Sequence, residues 1–216
     1  MRLVRRLVIS ALVLLGMLVL TDRLSVAAAQ RNVATRIQDA EHLSDRPEVH
    51  IGGFPFLTQL VSGHYDDVDV TVHGLRAGPL PVDRLTAHLS GVDVSLGQVL
   101  RQRVGAIPTD RTSAEVLLRY ADLNRFVAAE HVRLGPGGGG RLHVTASAQV
   151  AGTDLSAGAD VPIVVAGSTL TVDVAGGVQL RIPLPGLPFH LRLETARATR
   201  AGVVVGGSAA GLVLRP

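Results

Sequence analysis

From Glu48 onward, apolar and polar residues alternate with a period of two over most of the chain, a pattern that puts the apolar side chains of a strand on one face. Val68, Val70 and Val72 alternate with Asp67, Asp69 and Thr71, and Leu85, Ala87 and Leu89 share a face. Gly91 marks a slip, after which Val92, Val94 and Leu96 resume one residue out of phase, as a bulge requires. Thr112, Ala114, Val116 and Leu118 continue the pattern, and further strands are expected near residues 131–134, 142–150, 155–165, 170–175, 190–196 and 203–214. Helical spacing is confined to four places. Residues 30–43 read as an amphipathic helix with Arg31, Arg36 and Gln38 on its wet side, ended by Ser44, Asp45, Arg46 and Pro47. Leu57, Leu60 and Val61 form about one turn stopped by Gly63, residues 98–103 suggest another, and residues 120–127 place Leu123 and Val127 at i, i+4. The fold class that follows is α+β, predominantly antiparallel β, with a long helix at its start.

The stretch from Pro47 to Leu75 carries the densest signal. A strand entering at Glu48–Ile51 meets Gly52-Gly53, which permits a sharp change of direction, and then Pro55 between Phe54 and Phe56. Gly53-Phe54-Pro55-Phe56-Leu57 is echoed by Gly186-Leu187-Pro188-Phe189, so three of the four phenylalanines sit in two similar Pro-containing apolar turns. Two readings stay open: both turns are strand entries with buried rings, or both rim an opening and touch something apolar.

Arg2, Arg5 and Arg6 precede Leu7–Leu20, an apolar run broken only by Ser10 and Gly16. As a helix the run is roughly 21 Å long against an apolar bilayer core of about 30 Å, which suits the apolar region of an export signal. Ala27-Ala28-Ala29 before Gln30 offers a cleavage site. Against cleavage, Val26, Ala29, Val33, Ile37 and Ala40 form a helical stripe that would continue the same helix outward. Residues 1–29 are therefore either a signal peptide or an N-terminal membrane anchor, and residues 30–216 form a single β-rich domain. The chain has no Cys, so it carries neither a lipidated cysteine nor disulfides.

The formal charge of +3 comes from the N-terminus: setting aside Arg2, Arg5, Arg6, Arg23 and Asp22 leaves 17 Arg against 17 acids. With two Tyr and four Phe, that neutral body lacks the cationic excess and the stacking platforms of a nucleic-acid binder. The glycine run 135–140 lacks the Lys-Ser/Thr ending of a phosphate loop and lies between strands, and residues 206–211 miss the spacing of a nucleophile elbow. The eight His are scattered without metal-ligand spacing. Asp66, Asp67 and Asp69 read as a solvated strand face, with calcium or a catalytic carboxylate pair as the alternatives. No constellation argues for an enzyme, a metal or a cofactor. A lumen of Val, Leu and Ala would suit acyl chains, and a packed core of the same residues would look identical.

Taken in order, Asp22-Arg23-Leu24, Pro47-Glu48-Val49 through Ile51-Gly52-Gly53-Phe54-Pro55-Phe56-Leu57-Thr58-Gln59-Leu60, Tyr65-Asp66-Asp67-Val68, Tyr120-Ala121-Asp122-Leu123-Asn124 and Pro185-Gly186-Leu187-Pro188-Phe189 resemble the LmeA-like family of actinobacterial cell-envelope phospholipid-binding proteins. The second motif is the most specific of the five. The resemblance implies an envelope protein outside the cytoplasmic membrane, a curved sheet on a long helix similar to tubular lipid-binding folds, and phospholipid, phosphatidylinositol-type included, as partner. It also implies a link to lipid-anchored mannan or lipoglycan assembly. The residues expected to contact lipid or the membrane surface are Phe54, Pro55, Phe56, Leu57, Leu60, Val68 and Val70, with Leu187, Pro188 and Phe189 from the second turn. Two rivals stand beside this non-enzymatic reading: a structural or regulatory partner of a membrane glycosyltransferase, and an enzyme acting on envelope lipids. No motif names a protein partner.

Overall fold

The computed structural model describes residues 2–77, 80–95, 97–98, 107–128, 131–150, 153–167, 169–174, 178–184 and 192–214. Helix α1 (Arg2–Ala40) is followed by β1 (Glu48–Ile51), α2 (Phe56–Ser62), β2 (His64–Ala77), β3 (Leu80–Asp93), β4 (Ile107–Arg119) and α3 (Tyr120–Phe126). Then come β5 (Val132–Pro136), β6 (Leu142–Val150), β7 (Thr153–Val161), β8 (Ile163–Ala166), β9 (Thr169–Val174), β10 (Val178–Pro183), β11 (Arg192–Ala198) and β12 (Gly202–Leu214). Six strands form one antiparallel sheet in the order β1-β2-β3-β4-β12-β11, and two three-stranded sheets, β5-β6-β7 and β10-β9-β8, complete the α+β fold.

The two-residue period decides which face each strand buries. Leu85, Ala87 and Leu89 on β3, Ala114, Val116 and Leu118 on β4, and Val203 and Val205 on β12 face one continuous core, which Leu142, Val144, Leu170, Val172 and Ile182 extend. The slip at Gly91 is real but is not a bulge. Tyr65 faces Val92 and Asp67 faces Ser90, while on the other side Val92 faces Thr109 and Ser90 faces Arg111, so neither ladder gains a residue there. Gly91 instead takes φ +61°, and a Cβ at that position would sit 2.2 Å from Asp110 Oδ2. The buried set changes parity at this level on neighbouring strands, from Leu89 to Val92 and from Thr112 to Thr109, whose hydroxyls lie 3.0 Å apart. A register shift does occur between Leu193 and Thr195, where β11 pairs with β12.

Two other strand expectations change. Residues 155–165 are not one strand: Pro162, which has no amide hydrogen to donate, separates β7, paired with β6, from β8, paired with β9. Strand β10 was not expected, although Leu180 and Ile182 alternate and are buried. Its six residues lie close to glycines on one side and prolines on the other. Of the turn expected at 98–103, residues 99–103 lie outside the described residues.

Helix α1 is unbroken for 39 residues, about 58 Å, and runs straight through Ala27-Ala28-Ala29. Its C-terminal half packs on β1 and α2. Asp22, Val26 and Ala34 are buried, whereas Val33 and Ala40 of the expected stripe are exposed, so the packed face is rotated slightly from the apolar one. The N-terminal half is exposed along its length and is long and apolar enough to cross a membrane, which fits a signal or an anchor.

Candidate functional site

Strand β1 ends at Ile51, and the backbone turns away at once. Gly52 N–H donates to the Asp67 carbonyl at 2.9 Å, the Phe54-Pro55 peptide is cis, and α2 begins at Phe56. Gln59, almost fully buried, ties this loop to the sheet. Its Nε2 donates to the Gly52 carbonyl at 3.1 Å and its Oε1 accepts from the Asp66 amide at 3.0 Å. Both ends of the amide are thereby satisfied, which burial demands. Helix α2 stops at Gly63, whose N–H donates to the Gln59 carbonyl.

The first turn of α2 lacks a side-chain cap of its own, because Pro55 stands at the capping position. Asp22 supplies one from α1. Its Oδ1 accepts from the Leu57 amide at 2.9 Å across 35 residues of sequence. Oδ2 is buried without a hydrogen-bond partner, and the Arg23 Nε stands 3.9 Å from it. Arg23 also places its guanidinium 4.8 Å above the centre of the Phe54 ring. One arginine thus touches a buried carboxylate and an exposed aromatic face. Asp22→Ala is expected to lower stability by about 1 kcal/mol, while Asp22→Asn, which also caps, keeps most of it. Thermal melting of the two variants side by side checks this.

The two readings of the Pro-Phe turn take one ring each. Phe54 is 59% exposed and Pro55 is exposed beside it. Phe56 is 2% exposed and packs against Tyr65 at a centroid distance of 6.3 Å, inside the main core. Burial pushes the Tyr65 hydroxyl pKa upward. Leu60, Val68 and Val70 are partly buried against the same core, and Leu57 is half-buried. Leu187, Pro188 and Phe189 lie outside the described residues. Asp22, Arg23 and Gln59 belong to the motifs noted in the sequence, yet no role attached to them there. The available signal is a charged pair that follows an apolar run after a single threonine.

The carboxylates of β2 are engaged by a histidine across the strand. His88 Nδ1 bonds Asp69 and its Nε2 lies 3.5 Å from Asp67 Oδ1, all three side chains being about half exposed. His64–Asp93 and His143–Asp160 repeat the pairing at 2.7 and 2.6 Å. Among the described residues no group of three or more His, Cys, Asp or Glu could hold a metal ion. The hydrogen bond to Asp93 holds the His64 pKa above its usual 6.5. This linkage stabilises the fold fully below the unfolded value and fades as pH rises through the folded one. In an NMR titration His64 is expected to titrate above 6.5, and Asp93→Asn is expected to bring its midpoint down. A shallow, open cavity of about 400 Å³ near this pair is lined by polar Ser62, Asp93, Ser95 and Gln98 together with Val94 and Pro108, and its mixed, open wall encloses no acyl chain.

Comparison with known protein families matches residues 20–208 to the LmeA-like phospholipid-binding family. No curated protein and no solved structure matches the chain. The matched span begins two residues before Asp22, takes in the capped loop and the second Pro-Phe motif, and ends within β12, the rest of the six-stranded sheet lying inside it. With nearly its whole length inside that match, the chain belongs to the LmeA-like phospholipid-binding family.

Proposed function

We propose that this is a non-enzymatic phospholipid-binding protein of the cell envelope that meets lipid with the outward half of its first Pro-Phe turn, Phe54 and Pro55. Membership of a phospholipid-binding family carries the reading. The loop supports the assignment of the contact, since it presents an exposed aromatic ring and a cation side by side, a pair suited to the boundary between acyl chains and phosphate headgroups. Leu57, Leu60, Val68 and Val70, which are partly buried, are proposed as further apolar contacts, and Leu187, Pro188 and Phe189 as a second contact region. Phosphatidylinositol-type headgroups and a part in lipid-linked mannan or lipoglycan assembly are the finer steps of this reading. They rest on the family resemblance.

Liposome co-sedimentation of the wild type and Phe54→Ser tests the contact. The variant is expected to bind phospholipid clearly more weakly while its stability changes by no more than about 0.5 kcal/mol, as for other exposed sites. Unchanged binding by a folded Phe54→Ser protein would remove the loop from the lipid site. Asp67→Asn with Asp69→Asn is expected to leave lipid binding intact, and the wild-type melting temperature is expected to be indifferent to chelator. A fall of several degrees with chelator would mean that these carboxylates hold a metal.

A further inference from the structure

We infer that α1 is a retained membrane anchor, joined to the β domain through Asp22 so that the Phe54 loop is held in the interfacial layer of the bilayer that α1 crosses. The inference goes beyond lipid binding and does not depend on it. A cut after Ala29 would discard three residues that the fold uses. Asp22, 1% exposed, caps α2 through the Leu57 amide; Val26, 9% exposed, belongs to the main core; Arg23 covers the Phe54 ring. A discarded leader has no reason to be built into the core of the protein it leaves. The family match is independent of these contacts and begins at residue 20, inside the segment that cleavage would remove.

The exposed half of α1 fits a bilayer as its occupant. The charge-free run Leu7 to Leu20 is 14 residues, roughly 21 Å as a helix, and Leu3 to Leu20 approaches the apolar thickness of a membrane, about 30 Å, only with Arg5 and Arg6 reaching back to the headgroups. Leu7, Leu12, Leu14, Leu15, Met17 and Leu18 are each more than half exposed, with no protein surface covering them. Thr21, at the outer end, donates its hydroxyl to the Met17 carbonyl at 2.9 Å, so it presents no unmet donor to lipid. Arg2, Arg5 and Arg6 lie at the other end, where the positive-inside rule places the cytoplasm and where long side chains reach back to the headgroups. Asp22 and Arg23 follow the apolar run by two and three residues, so the cap and the Arg23–Phe54 pair sit about 3–5 Å along the axis from its end. Leu20 and Leu24, one turn apart and 60% and 63% exposed, continue the apolar surface to the level of Phe54.

The absence of Cys makes a single introduced thiol unique, so the full-length chain can report its own placement. Full-length protein with a C-terminal tag, isolated from envelope membranes, is expected to show an intact mass that includes Asp22 and to resist alkaline carbonate extraction while yielding to detergent. Purified protein beginning at Gln30, or at any residue after Asp22, would overturn retention. For depth, Phe54→Cys and Ser156→Cys, the latter on exposed β7, would carry a fluorophore in proteoliposomes containing headgroup-nitroxide phosphatidylcholine. Strong quenching at 54 with little at 156 is expected. Equal, weak quenching at both would sink the interfacial placement, even with the anchor retained. Liposome binding by Phe54→Ser is a separate readout, so its failure would count against the lipid contact and leave the intact mass as the judge of the anchor.

Discussion

Phe56→Ala is expected to lower the free energy of unfolding by about 3–5 kcal/mol, the usual cost of emptying a buried aromatic site. The ring is 2% exposed, rests on Tyr65 and lies at the start of α2, where the core of the six-stranded sheet meets the helix. Set against roughly 5–15 kcal/mol for a whole domain, the loss leaves a protein that melts early or fails to accumulate. Phe54, two residues earlier and 59% exposed, is expected to behave in the opposite way, keeping stability and losing lipid. Urea unfolding of Phe56→Ala decides the assignment: a cost under about 1 kcal/mol would mean that the ring is not part of the core.

Gly202→Val is expected to be nearly as costly, about 3 kcal/mol, by forcing a side chain into a place filled by backbone. Gly202 opens β12 opposite Arg119, and a Cβ there would meet the Leu118 carbonyl oxygen at 2.1 Å and its carbon at 2.8 Å. Backbone in the middle of a sheet cannot rotate away as a side-chain tip can, so β12 must part from β4 at its first residue. The turn that delivers Gly202 is held tightly. Thr199 N–H and Oγ1 both donate to the Gly202 carbonyl at 2.8 Å, and the Tyr120 hydroxyl donates to the Thr199 carbonyl at 2.8 Å. Hydrogen exchange is expected to rise first along the β4–β12 ladder, and a variant with wild-type protection there would show that the sheet absorbs the added side chain.

The strands were legible because burial on one face writes itself into a two-residue period. Strand β1 and strand β6 fall on the residues that the pattern marks, and Leu85, Ala87 and Leu89 do face the core. What the period cannot carry is how a strand continues across an irregularity. Gly91 changes parity by its own dihedral angle, with no added residue, and the sequence of either event is the same. Pro162 sends the chain from one sheet to another, which depends on partners far away in sequence. The loop was legible as a motif and illegible as a site. Two phenylalanines on either side of Pro55 look equivalent in one dimension, and only the direction of the chain after Gly53 turns one outward and the other in. The Asp22–Leu57 bond is beyond any local pattern, since it joins residues 35 apart.

The absence of a linker in α1 has a kinetic meaning. Leu20 closes the apolar run and Asp22 is already buried in the body, so no flexible segment intervenes that could let the domain swing or reach. If such a helix holds it in a membrane, the domain would stay at the bilayer surface, and the meeting of its loop with lipid would become an intramolecular event at a high effective concentration. Weak contacts then suffice. A single exposed ring and one guanidinium would be a poor grip for a protein searching for lipid from solution, but would be enough for one kept at the surface by its anchor. Its work on lipid would be done in place, on molecules that diffuse past it, with the rate set by lateral arrival and not by how much protein is free.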